Sequence, residues 1–310
     1  MTPPADNLAE IIDGLQQDTK TISPKYLYDE HGSKLFDAIT QLPEYYLTDT
    51  EIGIMLDNID ELVELVGRQA SLIEFGSGSS SKTRILLKHL DELAVYVPVD
   101  ISEEHLLESA GRIREEFPQI EVLPIVADFT KQFDLPSPEV MPLRNIVYFP
   151  GSTIGNLTHD DAQDLLRVMR HEASDDGALL IGVDLQKDPD IIENAYNDSA
   201  GVTAEFNVNV LRHLNRDYGA NFDLNAYSHH ARYDEAEGRV EIRLISSRKQ
   251  AVSIGGEDIE IADGEAILTE YSHKYTLEGF AALAQEAGFR VEKVWSDTER
   301  LFSVQFLVAM

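Results

Sequence analysis

The stretch Leu72–Leu87, LIEFGSGSSSKTRILL, leads from apolar residues through an acid into glycines and serines, then resumes an apolar pattern at helical spacing. A strand-to-helix turn of this kind offers backbone N–H groups to a ligand. It is not a phosphate loop of the G-x-x-x-x-G-K-[ST] type, because Ser81 rather than glycine precedes Lys82. It also departs from G-x-G-x-x-G, having only Gly76 and Gly78. A tight turn with no ligand would use the same glycines. Two acids at later strand ends add weight. Asp100, in VPVDIS, stands where a carboxylate can accept from ribose hydroxyls. Asp128, in VADFT, stands where a carboxylate can take an adenine amino hydrogen while Phe129 packs on the ring. With no lysine-rich phosphate cage, the set suits S-adenosylmethionine, a zwitterion without phosphate, better than NAD or ATP.

The elements that must position these residues follow a βαβα rhythm from about 71 to 185. Expected strands are 71–75, 94–99, 121–127, 145–150 and 178–185, separated by amphipathic helical stretches. Thr158 is the expected N-cap of the last of these helices, with acids in its first turn. After about 186 a mostly helical stretch and two strand-like runs interrupt the rhythm. A helix and two strands close the chain and are expected at the sheet edge. The pattern predicts an α/β fold of the doubly wound, Rossmann-like kind over 50–185 and 275–310, with a smaller α+β domain from 1–49 and 186–274. The site is expected at the carboxyl ends of the strands.

Further motifs carry a family resemblance: SPKYLYDEHGSKLFDAITQLPEYYLTDTE, EFGSGSSSKT, YFPGSTIGN, GVDLQKD followed by AYND, and TEYSHKY. From about residue 20 onward the chain resembles the histidine N-alpha-methyltransferases of ergothioneine biosynthesis. The resemblance implies a class I methyltransferase fold with a substrate domain, and three methylations of the alpha-amino nitrogen of L-histidine that give hercynine. It implies cofactor contacts from Gly76, Lys82, Asp100, Asp128 and Phe129. It places Asn156 and Tyr196 at the histidine carboxylate, Tyr28 and Tyr45 at the amino group, and Glu270 with Ser272 at the imidazole. In-line methyl transfer from a sulfonium needs no metal and no covalent nucleophile, only a neutral amine held in line.

Two alternatives keep or discard the chemistry. An N-methyltransferase for another amino acid or amine, such as a tryptophan derivative, would share the fold but has no use for a polar ring clamp at Glu270 and Ser272. A non-catalytic protein that kept the fold would not need every motif position filled. His229, His230 and His273 lack partners at ligand spacing, so no metal site is assigned.

Composition limits the remaining possibilities. The 310 residues contain no cysteine, which excludes disulfides and thiolate chemistry. No segment approaches the ~18 consecutive apolar residues of a membrane helix, and the first residues do not read as a secretory signal. A cytoplasmic monomer acting on a small molecule is expected. Acidic residues outnumber basic ones 56 to 25, a formal net charge of −31, which disfavours a nucleic-acid partner. The acids are spread along the chain, as on a surface adapted to high salt, where ions screen self-repulsion. Thermal melting should therefore shift to lower temperature on dialysis into low salt; a salt-independent Tm would overturn this reading.

Overall fold

The computed structural model describes residues 5–78 and 81–310, and the chain divides into two compact units. The larger comprises 47–186 and 275–310, the smaller 1–46 and 187–274.

The larger unit is built on one sheet, with strands β1 Ala70–Phe75, β2 Val95–Asp100, β3 Glu121–Val122, β4 Ile125–Val126, β5 Arg144–Phe149, β6 Ala178–Asp184, β7 Phe289–Ser296 and β8 Phe302–Ala309. The spatial order is β7-β8-β6-β5-β1-β2-β3, with β4 also paired to β2. Strands β1 to β6 run parallel, and β8 enters antiparallel to β6. Every residue of β1 and β6 is buried, as expected for parallel strands covered on both faces. This is a doubly wound, Rossmann-like sheet, and its order reverses between β1 and β5, where such sheets bind ligands.

Local sequence accounts for the elements. Thr158 caps helix His159–Ala173, its hydroxyl accepting from the Asp161 amide at 3.2 Å. Asp160 and Asp161 favour the positive end of that helix, and Arg170 and His171 the negative end. Leu165, Leu166 and Met169 from this helix meet Ile73, Val147 and Ile181 of the sheet in the core. The strand expected over 121–127 forms as two short pieces instead. Pro124, which has no N–H to donate to a ladder, stands between them.

The smaller unit holds a four-stranded sheet in the order Lys20–Thr21, Ala266–His273, Arg239–Ser246, Tyr227–Asp234. The first pair is parallel and the rest antiparallel. Arg239–Ser246 alternates between half-buried and buried residues, so one face looks into the core. Strand Tyr227–Asp234 is absent from the sequence reading, because YSHHARYD alternates only weakly in hydrophobicity. A separate hairpin, Gln250–Ile254 with Glu257–Ile261, follows the third strand. Among the described residues no helix is long and apolar enough to cross a membrane.

Candidate active site

In the larger unit the glycine turn leaves β1 beside the end of β2. The Gly76 amide donates to the Val99 carbonyl at 2.9 Å, one residue before Asp100. Gly76 and Gly78 both have positive φ, 69° and 43°. A Cβ added to Gly76 would also come within 3.4 Å of the Phe129 ring, so the turn needs glycine there for conformation and keeps only van der Waals room. Ser79 and Ser80 of the same motif lie outside the described residues. Asp100 pairs with Val126 of β4, and its carboxylate accepts from the Ser102 amide at 2.9 Å. Asp128 lies two residues past β4. Burial raises its pKa, but the Thr130 hydroxyl and amide, at 2.6 and 3.1 Å, and Lys131 at 3.4 Å outweigh that and hold it below the usual carboxylate range. Phe129 packs against Phe75 and Phe149, with ring centroids 5.7 and 6.1 Å apart. Gly76, Asp100, Asp128 and Phe129 therefore gather at adjacent strand ends.

Lys82 is half-buried and paired with Glu51, a fully buried acid on helix Tyr46–Asp57. Glu51 also accepts from the Gly151 amide at 2.9 and 3.1 Å, tying the start of the loop after β5 to Lys82. A Cβ on Gly182 would come 2.1 Å from the Glu51 carboxylate, so this acid reaches its place only because β6 has glycine opposite it. The same loop carries Asn156 at the end of the short 3₁₀ turn Thr153–Asn156. With its charge answered by Glu51, Lys82 does not form a phosphate cage. The set of two carboxylates, a glycine turn and an aromatic ring fits an adenosyl group with a zwitterionic tail.

Beneath the turn lies Glu74, 2% exposed, which accepts from the Thr83 hydroxyl at 2.6 Å and from the Tyr96 hydroxyl. Burial pushes its carboxyl up to about 7; the Thr83 and Tyr96 hydrogen bonds and Lys82 pull it down, and Asp100 adds to the rise.

The smaller unit gathers the other residues singled out in the sequence, Asn156 excepted. Tyr28 follows the 3₁₀ turn Pro24–Leu27 and precedes Asp29, the N-cap of helix Glu30–Ile39. Asp29 accepts from the Gly32 amide and the Asn209 side chain, both at 2.7 Å, and pairs with Arg216 at 2.9 Å. These contacts fasten the segment bearing Tyr28 to helix Val202–Asp217. The Tyr28 ring meets Phe206 and Phe36 edge-on, with centroids 5.3 and 5.5 Å apart. Phe36 meets Tyr45 at 6.3 Å, and Tyr45 meets Tyr196 at 6.3 Å. Although 39% of Tyr28 is exposed, burial around its hydroxyl, then the charges of Glu270, Tyr45 and Tyr196, raise its pKa well above the usual phenol range. Tyr46 turns elsewhere, its hydroxyl accepting from Lys187 at 2.5 Å.

Strand Ala266–His273 shifts register between Leu268 and Glu270. The bulged Thr269 is buried and donates to Asn207 at 2.6 Å. Asn207 in turn lies 3.0 Å from Nδ1 of His229, whose Nε2 is 2.8 Å from the Tyr196 carbonyl. An amide nitrogen can only donate, so Nδ1 accepts and Nε2–H donates: His229 is a neutral tautomer holding the Tyr196 backbone. Burial lowers its pKa in agreement. Past the bulge, Glu270 and Ser272 share one face of the strand, Lys274 follows one residue beyond its end, and all three are buried. The Lys274 ammonium donates to the Tyr196 hydroxyl and to Ser272 Oγ, each at 2.8 Å, and those two oxygens are 2.7 Å apart. Burial raises Glu270 to about 8, Lys274 acting against the rise. Tyr271 takes the opposite face, under the Arg239 guanidinium at 4.1 Å and beside His273.

Comparison with known proteins decides the family. The profile described as "Histidine-specific methyltransferase, SAM-dependent" matches residues 7–309. The chain belongs to that family. Among its relatives, the "Histidine N-alpha-methyltransferase" of Mycolicibacterium smegmatis is 38% identical over 98% of this chain and 97% of its own. That of Mycobacterium tuberculosis is 37% identical over 93% and 90%. "Ergothioneine biosynthesis protein 1" of Neurospora crassa is 32% identical over 87% of this chain and 31% of its own length. As a member of the family the protein is a SAM-dependent histidine methyltransferase.

The sequence reading had passed over Lys274 and Glu51. The first was signalled by strand alternation, two residues past Ser272; the second had no signal, because its partners are brought to it only by the fold. Glu74 generates a test. Its folded pKa exceeds the unfolded value, so between about pH 4.3 and about 7 the native state holds a proton the unfolded chain has released, and stability falls as pH rises through that window. In urea melts, Glu74→Gln should gain on the wild type between about pH 5 and about pH 8. A constant difference would overturn the assignment.

Proposed function

We propose that this enzyme transfers three methyl groups to the alpha-amino nitrogen of L-histidine, giving hercynine for ergothioneine biosynthesis. The single observation that carries this reading is the buried row of Glu270, Ser272 and Lys274, two of them bonded to Tyr196, set beside the tyrosine and phenylalanine cluster in one unit. The names of the mycobacterial and Neurospora relatives support the nitrogen and the pathway.

In this reading Gly76, Lys82, Asp100, Asp128 and Phe129 hold S-adenosylmethionine: Asp100 at the ribose hydroxyls, Asp128 and Phe129 at the adenine, and the glycine turn with Lys82 at the methionine end. Bound there, the cofactor supplies an electrophilic methyl group on a sulfonium. In the free enzyme burial keeps Glu270 largely protonated near neutral pH; an imidazole N–H bonds its ionised form, which lowers the pKa again, and Ser272 gives the ring its second polar contact. Asn156 and Tyr196 take the carboxylate. Tyr28 and Tyr45 hold the amine through hydroxyls rather than carboxylates, which leaves its lone pair free; the raised pKa keeps Tyr28 a neutral phenol. As methyl groups accumulate, the surrounding rings accommodate a cation through its attraction to their faces, worth roughly 0.5–2 kcal/mol. A tryptophan-type substrate is the weaker reading, since an indole has one N–H donor and no ring acceptor, and would leave the hydroxyl end of the row unanswered.

Incubation with S-adenosylmethionine and a mixture of all common amino acids, in high salt and read by mass spectrometry, should show histidine alone gaining three methyl groups. Methylation of another amino acid would overturn the substrate. Asp100→Ala should weaken S-adenosylmethionine binding about tenfold or more in calorimetry, the loss of charged hydrogen bonds to a diol. Unaltered affinity would remove Asp100 from the ribose.

A further inference from the structure

Lys274 is an unusual residue to find 2% exposed, since a lysine is seldom fully buried unless its charge is answered. It stands one residue past the end of strand Ala266–His273, two residues beyond Ser272 and four beyond Glu270, and bonds to Ser272 Oγ. Two of its three N–H groups go to Tyr196 and Ser272. Its ammonium also lies 4.8 Å from the centre of the Tyr196 ring. A lysine has no acceptor, so each hydroxyl gives an electron pair to it; one of the two donates to the other across 2.7 Å, and the pair presents a ligand with a single O–H donor, polarised by the ammonium.

We infer that Lys274 sets the charge selectivity of the substrate pocket, making a row that begins with an acceptor, Glu270, and ends with a hydroxyl donor beside the Lys274 ammonium. Such a row takes a neutral ring that gives a hydrogen bond at one end and receives one at the other. It rejects side chains that carry their own positive charge: a guanidinium, an alkylammonium or a protonated imidazole. Glu270 alone would not discriminate, because a lone buried carboxylate attracts a cationic tail at least as strongly as a neutral N–H. Lys274 supplies the repulsive element against the wrong partner that specificity requires. Against Lys274, an arginine tail would bury two like charges in a poorly screened site, whereas neutral histidine buries none of its own.

The inference rests on the reading of Glu270 and Ser272 as the ring clamp, and one set of variants separates the two. Histidine KM and the inhibition constants of L-arginine and L-lysine as competitors are measured for the wild type, Lys274→Met, Lys274→Gln, Lys274→Arg and Glu270→Gln. Binding of S-adenosylhomocysteine serves as the check on folding. In Lys274→Met the preference for histidine over arginine should fall about tenfold or more, because removing a like-charge clash helps the cationic competitor specifically. Lys274→Gln, neutral but still able to bond both hydroxyls, should show the same fall even where the methionine variant does not fold. Lys274→Arg should keep the preference. A histidine KM that worsens in the neutral variants in step with arginine binding, leaving the ratio unchanged, would make Lys274 a merely structural residue and overturn the inference. Glu270→Gln with wild-type histidine KM would remove the ring clamp itself and the inference with it.

Discussion

The hydroxyl of Thr269 is the point on which the smaller unit's chemistry turns. A bulge leaves that residue out of register, and a bulged residue must find its hydrogen bonds elsewhere. The one hydrogen of the Thr269 hydroxyl goes to Asn207 Oδ1 of the neighbouring helix at 2.6 Å, with the Ile242 carbonyl as the more distant acceptor at 3.0 Å. Because Asn207 also addresses His229, and His229 the Tyr196 backbone, the strand carrying the acid and the helix end carrying the tyrosine are held in one polar chain. Fully satisfied networks of this kind define geometry, and partly satisfied ones are costly, so no member can be altered alone without cost. Without the extra residue, Glu270 and Ser272 would face the other side of the sheet, since a slip of one residue exchanges the faces of a strand.

The larger unit uses the same economy of parts in a different form. Its turn relies on glycines at positive φ, and the acid below it, Glu74, joins the turn's helix through Thr83 and the adjacent strand through Tyr96. Glu51 performs the corresponding task between Lys82 and Gly151. In both cases a buried carboxylate serves as a fastener for loops that would otherwise be held by few contacts. Each unit thus fixes its functional side chains by burying polar groups that are answered locally.

Much of this was legible in the sequence because period and punctuation speak directly there. The parallel strands are continuous apolar runs, Thr158 precedes acids, and the closing helix and two strands come back to the sheet as β7 and β8. Strand 227–234 was not legible, as its buried positions are Tyr227, Ala231 and Tyr233 among histidines and an arginine. The positions of Tyr28, Tyr45, Tyr196, Glu270 and Ser272 came from motifs, and the fold brings these five into one unit. What no motif could give was the side-chain pairing: that Lys82 answers Glu51, that Tyr271 turns away under Arg239, and that Lys274 completes a triangle with Tyr196 and Ser272. Such pairings depend on rotamers and bulges, which residue type does not encode.

The order of segments along the chain has a consequence for synthesis. The smaller unit is made of residues 1–46 and 187–274, and the larger sheet lacks β8, the neighbour of β6, until residue 309 has been made. As the chain emerges from the ribosome, the strand Lys20–Thr21 waits for Ile267 and Leu268, its partners some 250 residues later by the numbering. Pairings so distant in sequence form late and slowly. From residue 184 until β8 is made, the nascent chain carries an apolar sheet edge on the side of β6 away from β5, the kind of surface that recruits chaperones or aggregates. An abundance of dispersed negative charge is the feature of this chain best suited to keep such an intermediate in solution.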